Sequence, residues 1–475
     1  MIKQLSIASV LFLFVNLLTL SCRKESARPN DNNPPVANAG NDTIIVLPSD
    51  SSSLDGTASY DPDNNITGYQ WIKISGPSTF SIDNASAAKT NVASLIEGIY
   101  EFELKVTDAA GLFANDTVKV VVVSGQSACN IETRPVIQAR LIPLGKLSIG
   151  RTNIVTAATN NKILFAGGYS YIMDGTGIPM RRIDIYDINS NSWSTKDLFE
   201  YPTWRADMGI AASNNKIFLA GGGFWGDDIY TNRVDIYNTS EDSWSADTLS
   251  EYVTGAAGVS AGNKVFFAGG FGFNNGYYWS NKVDIYDITT NTWTKSTLSE
   301  RRGYISAVHA GNKIYFAGGQ KNDGNFLPSD RIDEYDLLTN SWSTSSLQEA
   351  RTGMGVISFG NKVFFAGGQT PFGPSGKVEI RDIVTGLTSI SCINPRGGLS
   401  AVLKDDKIVF FTGSGGDPGD GVHFEIYNLT TDTWYTAVLD KSITHAAIIS
   451  VNNVIYVAGG FVNGVGSDQV WKLEF

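Results

Sequence analysis

Phe165-Ala166-Gly167-Gly168, Leu219-Ala220-Gly221-Gly222, Phe267-Ala268-Gly269-Gly270, Phe316-Ala317-Gly318-Gly319, Phe365-Ala366-Gly367-Gly368 and Val457-Ala458-Gly459-Gly460 repeat one phrase along the C-terminal part of the chain. A degenerate copy, Phe411-Thr412-Gly413-Ser414, fills the gap, so that first glycines lie 54, 48, 49, 49, 46 and 46 residues apart. Self-similarity at this period marks stacked supersecondary units, here seven of them. The unit around Gly318 shows the plan. Tyr304-Ile305-Ser306-Ala307-Val308 precedes a Gly311-Asn312 turn and Lys313-Ile314-Tyr315-Phe316-Ala317. Arg331-Ile332-Asp333-Glu334-Tyr335-Asp336 and Trp342-Ser343-Thr344-Ser345-Ser346-Leu347 complete four strands. First strands are built of small residues, as in Met208-Gly209-Ile210-Ala211-Ala212, which suits strands crowded round one axis. Asn-Asn and Gly-Asn pairs tolerate the positive φ of a tight hairpin. Trp193, Trp244, Trp293, Trp342 and Trp434 hold one repeat position and read as packing between units.

Composition agrees with an all-β chain. Of 475 residues 49 are Gly, 42% are hydrophobic and 17% charged, which excludes a disordered acidic chain or a coiled coil. The net charge of −11, with no Lys/Arg cluster to offset it, argues against a nucleic-acid partner.

Four strands with Gly-Gly, Tyr-Asp and Trp at these offsets resemble the kelch repeat over residues 137–475, and the resemblance implies a seven-bladed β-propeller. Blade five has Ile380-Arg381-Asp382 in place of Tyr-Asp and no Trp, and blade six reads as lacking its second glycine, so these two should be the least regular. The last unit ends after three strands at Trp471-Lys472-Leu473-Glu474-Phe475. Residues 137–147, containing Arg140-Leu141-Ile142-Pro143-Leu144, are expected to supply its outer strand and so remove an open edge.

Residues 34–125 carry a different pattern of short β-branched runs, including Tyr69-Gln70-Trp71-Ile72-Lys73-Ile74 and Thr117-Val118-Lys119-Val120-Val121-Val122-Val123, which reads as a small sandwich. Pro35-Val36-Ala37-Asn38-Ala39-Gly40, Leu54-Asp55-Gly56, Ser59-Tyr60-Asp61-Pro62-Asp63 and Val106-Thr107-Asp108 resemble a PKD domain. This implies an immunoglobulin-like sandwich serving as spacer or adhesive module, without catalysis. Asp61 and Asp63 can converge as hard oxygen ligands for calcium. The resemblance adds Asp108 and Asn38, and the other reading is a set of Asx-turns.

The start of the chain gives an address. Met1-Ile2-Lys3 precedes an apolar run from Leu5 to Leu20, too short to span a bilayer, as in an export signal. Leu18-Thr19-Leu20-Ser21-Cys22 resembles a bacterial lipobox with Cys22 as the lipidated residue, and Arg23 after it fits the outer membrane, facing either the periplasm or the cell surface. Residues 23–33 read as a tether and 126–136 as a linker. Cys129 and Cys392 remain, as a disulfide or as two thiols.

Loops after each Gly-Gly and loops before each inner strand should emerge on one face of the propeller, the binding-site candidate. Arg151, Arg205, Arg302 and Arg351 stand sixteen residues before a first glycine, and Arg396 one residue off. Such a set either binds acidic groups round the opening or bonds neighbouring loops. Tyr171, Trp225, Phe273, Tyr278 and Trp279 lie off the repeat pattern and suit a sugar ring or a protein anchor. Kelch-like propellers include galactose-oxidase-like copper enzymes and sialate-mutarotase-like enzymes. The chain has His309, His423 and His445 and no Tyr-His-Cys set that matches the former. The expectation is therefore an exported, lipid-anchored envelope protein that binds a glycan or an envelope or extracellular protein, with no cofactor beyond calcium in the sandwich. A carbohydrate-active enzyme of oxidase or mutarotase type is the alternative.

Overall fold

The computed structural model describes residues 32–47, 49–96, 98–123, 131–171, 177–198, 205–224, 229–273, 276–321, 326–411, 413 and 421–475. Cys22, Cys129 and Trp225 lie outside the described residues. Two compact units divide the chain, Met1–Val122 and Val123–Phe475.

In the first unit, Gly98–Asp108 alternates buried and half-exposed residues along its length, the two-residue period of a strand with one face on a core. It sits inside a four-stranded sheet between Phe113–Val123, which in turn pairs Thr43–Val46, and Ile66–Ser75. A second sheet holds Ser52–Asp55, Lys89–Ala93 and Ser81–Ile82. Trp71, Tyr100, Phe102, Leu104 and Val118 fill the space between them. The Trp71 indole donates to the carbonyl of Ala87 at 3.1 Å, so its one polar atom is not left unpaired in that core. This is the immunoglobulin-like sandwich.

In the second unit, the described residues form seven sheets on a four-strand plan, and their inner strands adjoin in chain order and back to the first. In blade four the inner strand is Ser306–Ala310, followed outward by Lys313–Ala317, Arg331–Asp336 and Ser341–Ser346. Burial follows that order. Ile314, Tyr315, Phe316 and Ala317 are all buried, whereas the outermost strand keeps only Trp342 and Ser345 half-covered. Trp342 rests on Tyr335 at 5.0 Å and donates to Ser296 of the preceding blade at 2.8 Å; Trp293 likewise donates to Asp247 at 2.7 Å. The repeat tryptophans therefore join blades.

Gly-Gly has a cross-blade cause. A Cβ on Gly318 would sit 2.3 Å from the carbonyl oxygen of Arg351 in the next blade, and one on Gly459 equally close to that of Arg151, where blade seven meets blade one. With φ of 62° and 67° both residues also occupy left-handed backbone, which glycine adopts at least cost.

One expectation about the irregular blades is corrected. Blade six retains the second glycine, not the first. A Cβ on Gly413 would meet Gly397 O at 2.6 Å, as one on the second glycine Gly319 meets Gly303 O at 2.6 Å. Phe411 pairs Ser400 as Ala366 pairs Gly355, which brings Arg396 into step with the other arginines. Blade five has a five-residue outer strand, Thr388–Cys392, where blades one to four and blade six have six, and Arg381, at the tyrosine position, reaches blade four and donates to Ser345 at 2.7 Å and to the carbonyl of Ser346 at 3.0 Å.

The chain start stitches two blades. Arg140–Lys146 pairs antiparallel with Gln469–Glu474 as the outer strand of blade seven. Val136–Gln138 adds a parallel fifth strand to blade six, which the repeat pattern does not announce. Arg134 lies over the Trp434 ring and donates to the carbonyl of Cys392, which is disulfide-bonded to a cysteine outside the described residues.

Candidate functional site

The periodic arginines do not line an opening. Arg151, Arg205, Arg302 and Arg351 are fully buried, with exposure of 0–1%. Arg151 pairs with Asp184, Arg205 with Asp235 and Arg302 with Asp333. Arg351 meets Glu379 at 2.9 Å and Arg396 meets Glu425 at 3.2 Å. Arg205 donates to Gly221 O at 2.8 Å and Arg351 to Gly367 O at 2.9 Å, each sixteen residues along the chain, so the spacing measures the reach of a guanidinium that staples the Gly-Gly turn. Burial pulls the Arg205 guanidinium down from its usual pKa while Asp235 opposes that pull. Their assignment as ligand contacts is overturned, because these guanidinium groups are buried out of a ligand's reach and already paired with carboxylates. Blade three has Val253 at this position, and its acid, Asp284, accepts instead from Ser250 N at 3.1 Å and is pushed up in pKa by burial.

Hairpins after Gly-Gly rise on the same side, pairing Tyr169–Tyr171 with Gly177–Pro179, Phe271–Phe273 with Tyr277–Trp279, and Phe461–Val462 with Val465–Gly466. Tyr171 and Phe273 are 41% and 37% exposed, and Tyr277 and Phe372 reach 55% and 99%. Sequence reasoning placed Tyr278 and Trp279 in the binding set, and the structure corrects this for Trp279 and leaves Tyr278 half-exposed. Trp279 is 4% exposed and packs with Tyr230 and Phe271 beneath the hairpin. Tyr278 donates its hydroxyl to Tyr252 O at 2.6 Å, and burial pushes its pKa up to about 12. Burial rises along the strand from exposed Tyr277 at the hairpin tip through half-buried Tyr278 to buried Trp279 at its base.

Inside the hairpins lies a feature that the repeat pattern did not expose. Two residues after each arginine, or its replacement, the backbone turns left-handed: Asn153, Asp207, Gly255, Tyr304, Gly353, Gly398 and His445 all have φ between 51° and 65°. Gly255 N donates to Asp207 O, Tyr304 N to Gly255 O and Asn153 N to His445 O, at 2.8, 2.8 and 3.1 Å, linking successive blades and closing seven onto one. These residues encircle the axis at the loop-side mouth. Asymmetry is marked. A Cβ on Gly398 would meet nothing within 4 Å, whereas one on Gly255 would strike the Tyr304 ring at 2.8 Å. Tyr169 donates its hydroxyl to Asp207 at 3.2 Å, and burial raises the pKa of both. His445 faces Phe461 edge-on at 5.9 Å, and Phe461 lies 5.0 Å from Tyr171. Nδ1 of His445 is buried with no hydrogen-bond partner among the described residues, and burial lowers its pKa. Non-glycine residues in left-handed backbone persist where the surroundings over-determine them, and such strain gathers at functional sites.

The described residues do not assemble the ligands of a copper centre. Among the described residues no cluster of three or more His, Cys, Asp or Glu could hold a metal ion. His309 bonds Gly311 O of the hairpin at the opposite end of its strand, only His445 reaches the mouth, and Cys392 is held in a disulfide.

In the sandwich, the expected calcium set is mostly engaged locally. Asp63 accepts from Asn33 N at 2.6 Å, Asp108 from Ala110 N and Leu112 N at 2.8 Å, and Asn38 from Gly40 N at 3.0 Å. Asp61 Oδ1 accepts from Asp63 N at 2.7 Å, the Asx-turn alternative. Its Oδ2, and Oδ1 of Asn65, are buried without a hydrogen bond.

Comparison with known proteins supports both units. Residues 39–122 match the family model of the PKD domain of KIAA0319-like type, and residues 205–246 and 253–297 match the Kelch motif. The human dyslexia-associated protein KIAA0319 is 40% identical over 95 residues, 20% of this chain and 9% of that protein. Human low-density lipoprotein receptor-related protein 11 is 35% identical over 103 residues, 22% of this chain and 20% of that protein. The chain thus spans about a tenth to a fifth of the length of these relatives. The solved structure of YjhT aligns at TM-score 0.44 and 16% identity, covering 58% of this chain and 96% of that one. Kelch repeats with a PKD domain support a β-propeller binding module. The chain is an immunoglobulin-like PKD domain followed in sequence by a kelch-type β-propeller.

Proposed function

We propose that this is an exported cell-envelope protein, lipid-anchored in the outer membrane through Cys22, that recognises a glycan on the loop face of its propeller. The observation that carries the reading is the set of exposed aromatic side chains on the loop side, Tyr171, Phe273, Tyr277 and Phe372. Aromatic faces that have no core to fill offer apolar area to a sugar ring at low entropic cost. Glycan-array binding by the full-length chain, with Tyr277→Ala/Phe372→Ala as comparison, is the test. Specific binding that falls at least about tenfold in the double variant, or about 1.4 kcal/mol, supports the reading. Binding to no glycan, with capture of an envelope protein instead, replaces it. Incorporation of a fatty-acid analogue that is lost in Cys22→Ser checks the anchor.

A calcium ion in the sandwich belongs to the same proposal. Asp61 Oδ2 and Asn65 Oδ1 are hard oxygens lacking partners, which suits a divalent cation. It would tie the Asp61–Asn65 loop to its strand. Calcium-dependent protection of that loop from hydrogen exchange, abolished in Asp61→Ala, supports it; identical exchange with calcium and with chelator rejects it.

A further inference from the structure

The mouth of the propeller has a chemistry of its own, distinct from the aromatic hairpins. Four of its left-handed positions carry side chains, Asn153, Asp207, Tyr304 and His445, while Gly353 and Gly398 carry none and Gly398 has open space beside it. These four supply a carboxyl, an amide, a phenol and an imidazole, and the carboxyl meets the hydroxyl of Tyr169. That is a mixed set of donors and acceptors round one mouth, and a molecule bearing several hydroxyls can satisfy more than one of them. Phe461, in contact with both His445 and Tyr171, supplies an apolar wall.

Charge narrows the choice. The nearest cations along the chain, Arg151 and Arg205, stand two residues before Asn153 and Asp207, but they are buried and paired with Asp184 and Asp235. No cation is among the side chains at the left-handed positions, and Asp207 is the only acid there. A carboxylate or sulfate entering the mouth would lose its water and gain no counter-ion from these side chains, and ionised Asp207 would repel it. A hydroxyl meets neither cost. Burial moves Asp207 toward its neutral form, which adds a donor and still supplies no positive charge.

We propose that the mouth formed by Asn153, Asp207, Tyr304 and His445 is the subsite for the terminal residue of a glycan, and that it admits uncharged sugars and excludes acidic ones. This rests on the glycan reading above and goes beyond it in naming the subsite and its charge selectivity.

The test measures affinity of the full-length chain for glycans of one core, ended by a neutral hexose or by the matching uronic acid. Asp207→Asn and His445→Asn are the variants, since Asn tolerates left-handed backbone and both should fold. Neutral ends should bind at least about tenfold tighter than acidic ends, or about 1.4 kcal/mol. Asp207→Asn should narrow that ratio, and His445→Asn should weaken neutral binding at least about threefold, while both variants leave the unfolding transition cooperative. Equal or tighter binding of acidic ends, or variants with unchanged affinities, overturns the subsite while leaving glycan binding at the aromatic tips intact. Absence of binding to any glycan overturns both.

Discussion

Tyr169 and Asp207 are joined across the boundary between blades one and two by a hydroxyl-to-carboxyl hydrogen bond of 3.2 Å. The carboxyl carries no partner of opposite charge in that bond, and burial raises its pKa. The sign follows from linkage. A carboxyl whose pKa is raised on folding binds more protons folded than unfolded, so its contribution is full below about 3.9 and is lost as pH rises through the folded value. Asp207→Asn should therefore stabilise the propeller at neutral pH and change little at pH 3, as read from denaturant midpoints at both pH values.

His445 acts with the opposite slope. Burial lowers its pKa, so below about 6.5 the unfolded chain takes up a proton that the folded one resists. Stability should fall as pH drops through that value, and His445→Asn should flatten that part of the profile in pH-resolved thermal unfolding.

The arginine staples should be costly to break and cheap to replace. Arg302→Ala leaves Asp333 buried without its partner and should cost about 3–5 kcal/mol in chemical unfolding. Blade seven shows the alternative, with Ile443 at the arginine position and Trp471 at the acid position, both in one apolar cluster. Arg302→Met combined with Asp333→Leu should accordingly cost much less than Arg302→Ala alone.

Two glycines of similar φ separate strain from steric conflict. Gly262→Ala, at φ 55° with nothing within 4 Å of the added Cβ, should cost about 1 kcal/mol. Gly318→Ala, at φ 62°, drives its Cβ into Arg351 O and should cost at least about 2 kcal/mol more, since the obstacle is backbone. Paired urea titrations decide it.

Reduction should loosen the stitched end. Removing the disulfide at Cys392 by Cys392→Ser should lower stability by about 2–4 kcal/mol, measured against the oxidised parent.

Much of this architecture was legible because it repeats. The Gly-Gly phrase, the tryptophans and the sixteen-residue arginine interval are each set by a contact that recurs in blade after blade, so they rise above sequence noise. The role of the arginines was also written there: every blade with the arginine carries Asp or Glu on its third strand, from Asp184 to Glu425, and blade seven loses both together. Reading the pair rather than the arginine alone would have placed it in the core. The mouth was hidden for a different reason. Its positions share a backbone conformation and no residue type, so Asn153, Tyr304 and His445 look unrelated in sequence. Blade six was misaligned because one glycine stands where two are usual, and only the strand register shows which one remained.

The pairing of Arg140–Lys146 with Gln469–Glu474 sets a timetable. More than three hundred residues separate these strands, so Arg140–Lys146 has no antiparallel partner until Gln469–Glu474 has been made. Long-range pairing of this kind is slow, and a ring lacking its final sheet leaves strand edges open to other chains. Removing Gln469–Glu474 should therefore act as a failure to close the ring rather than as a trimmed edge.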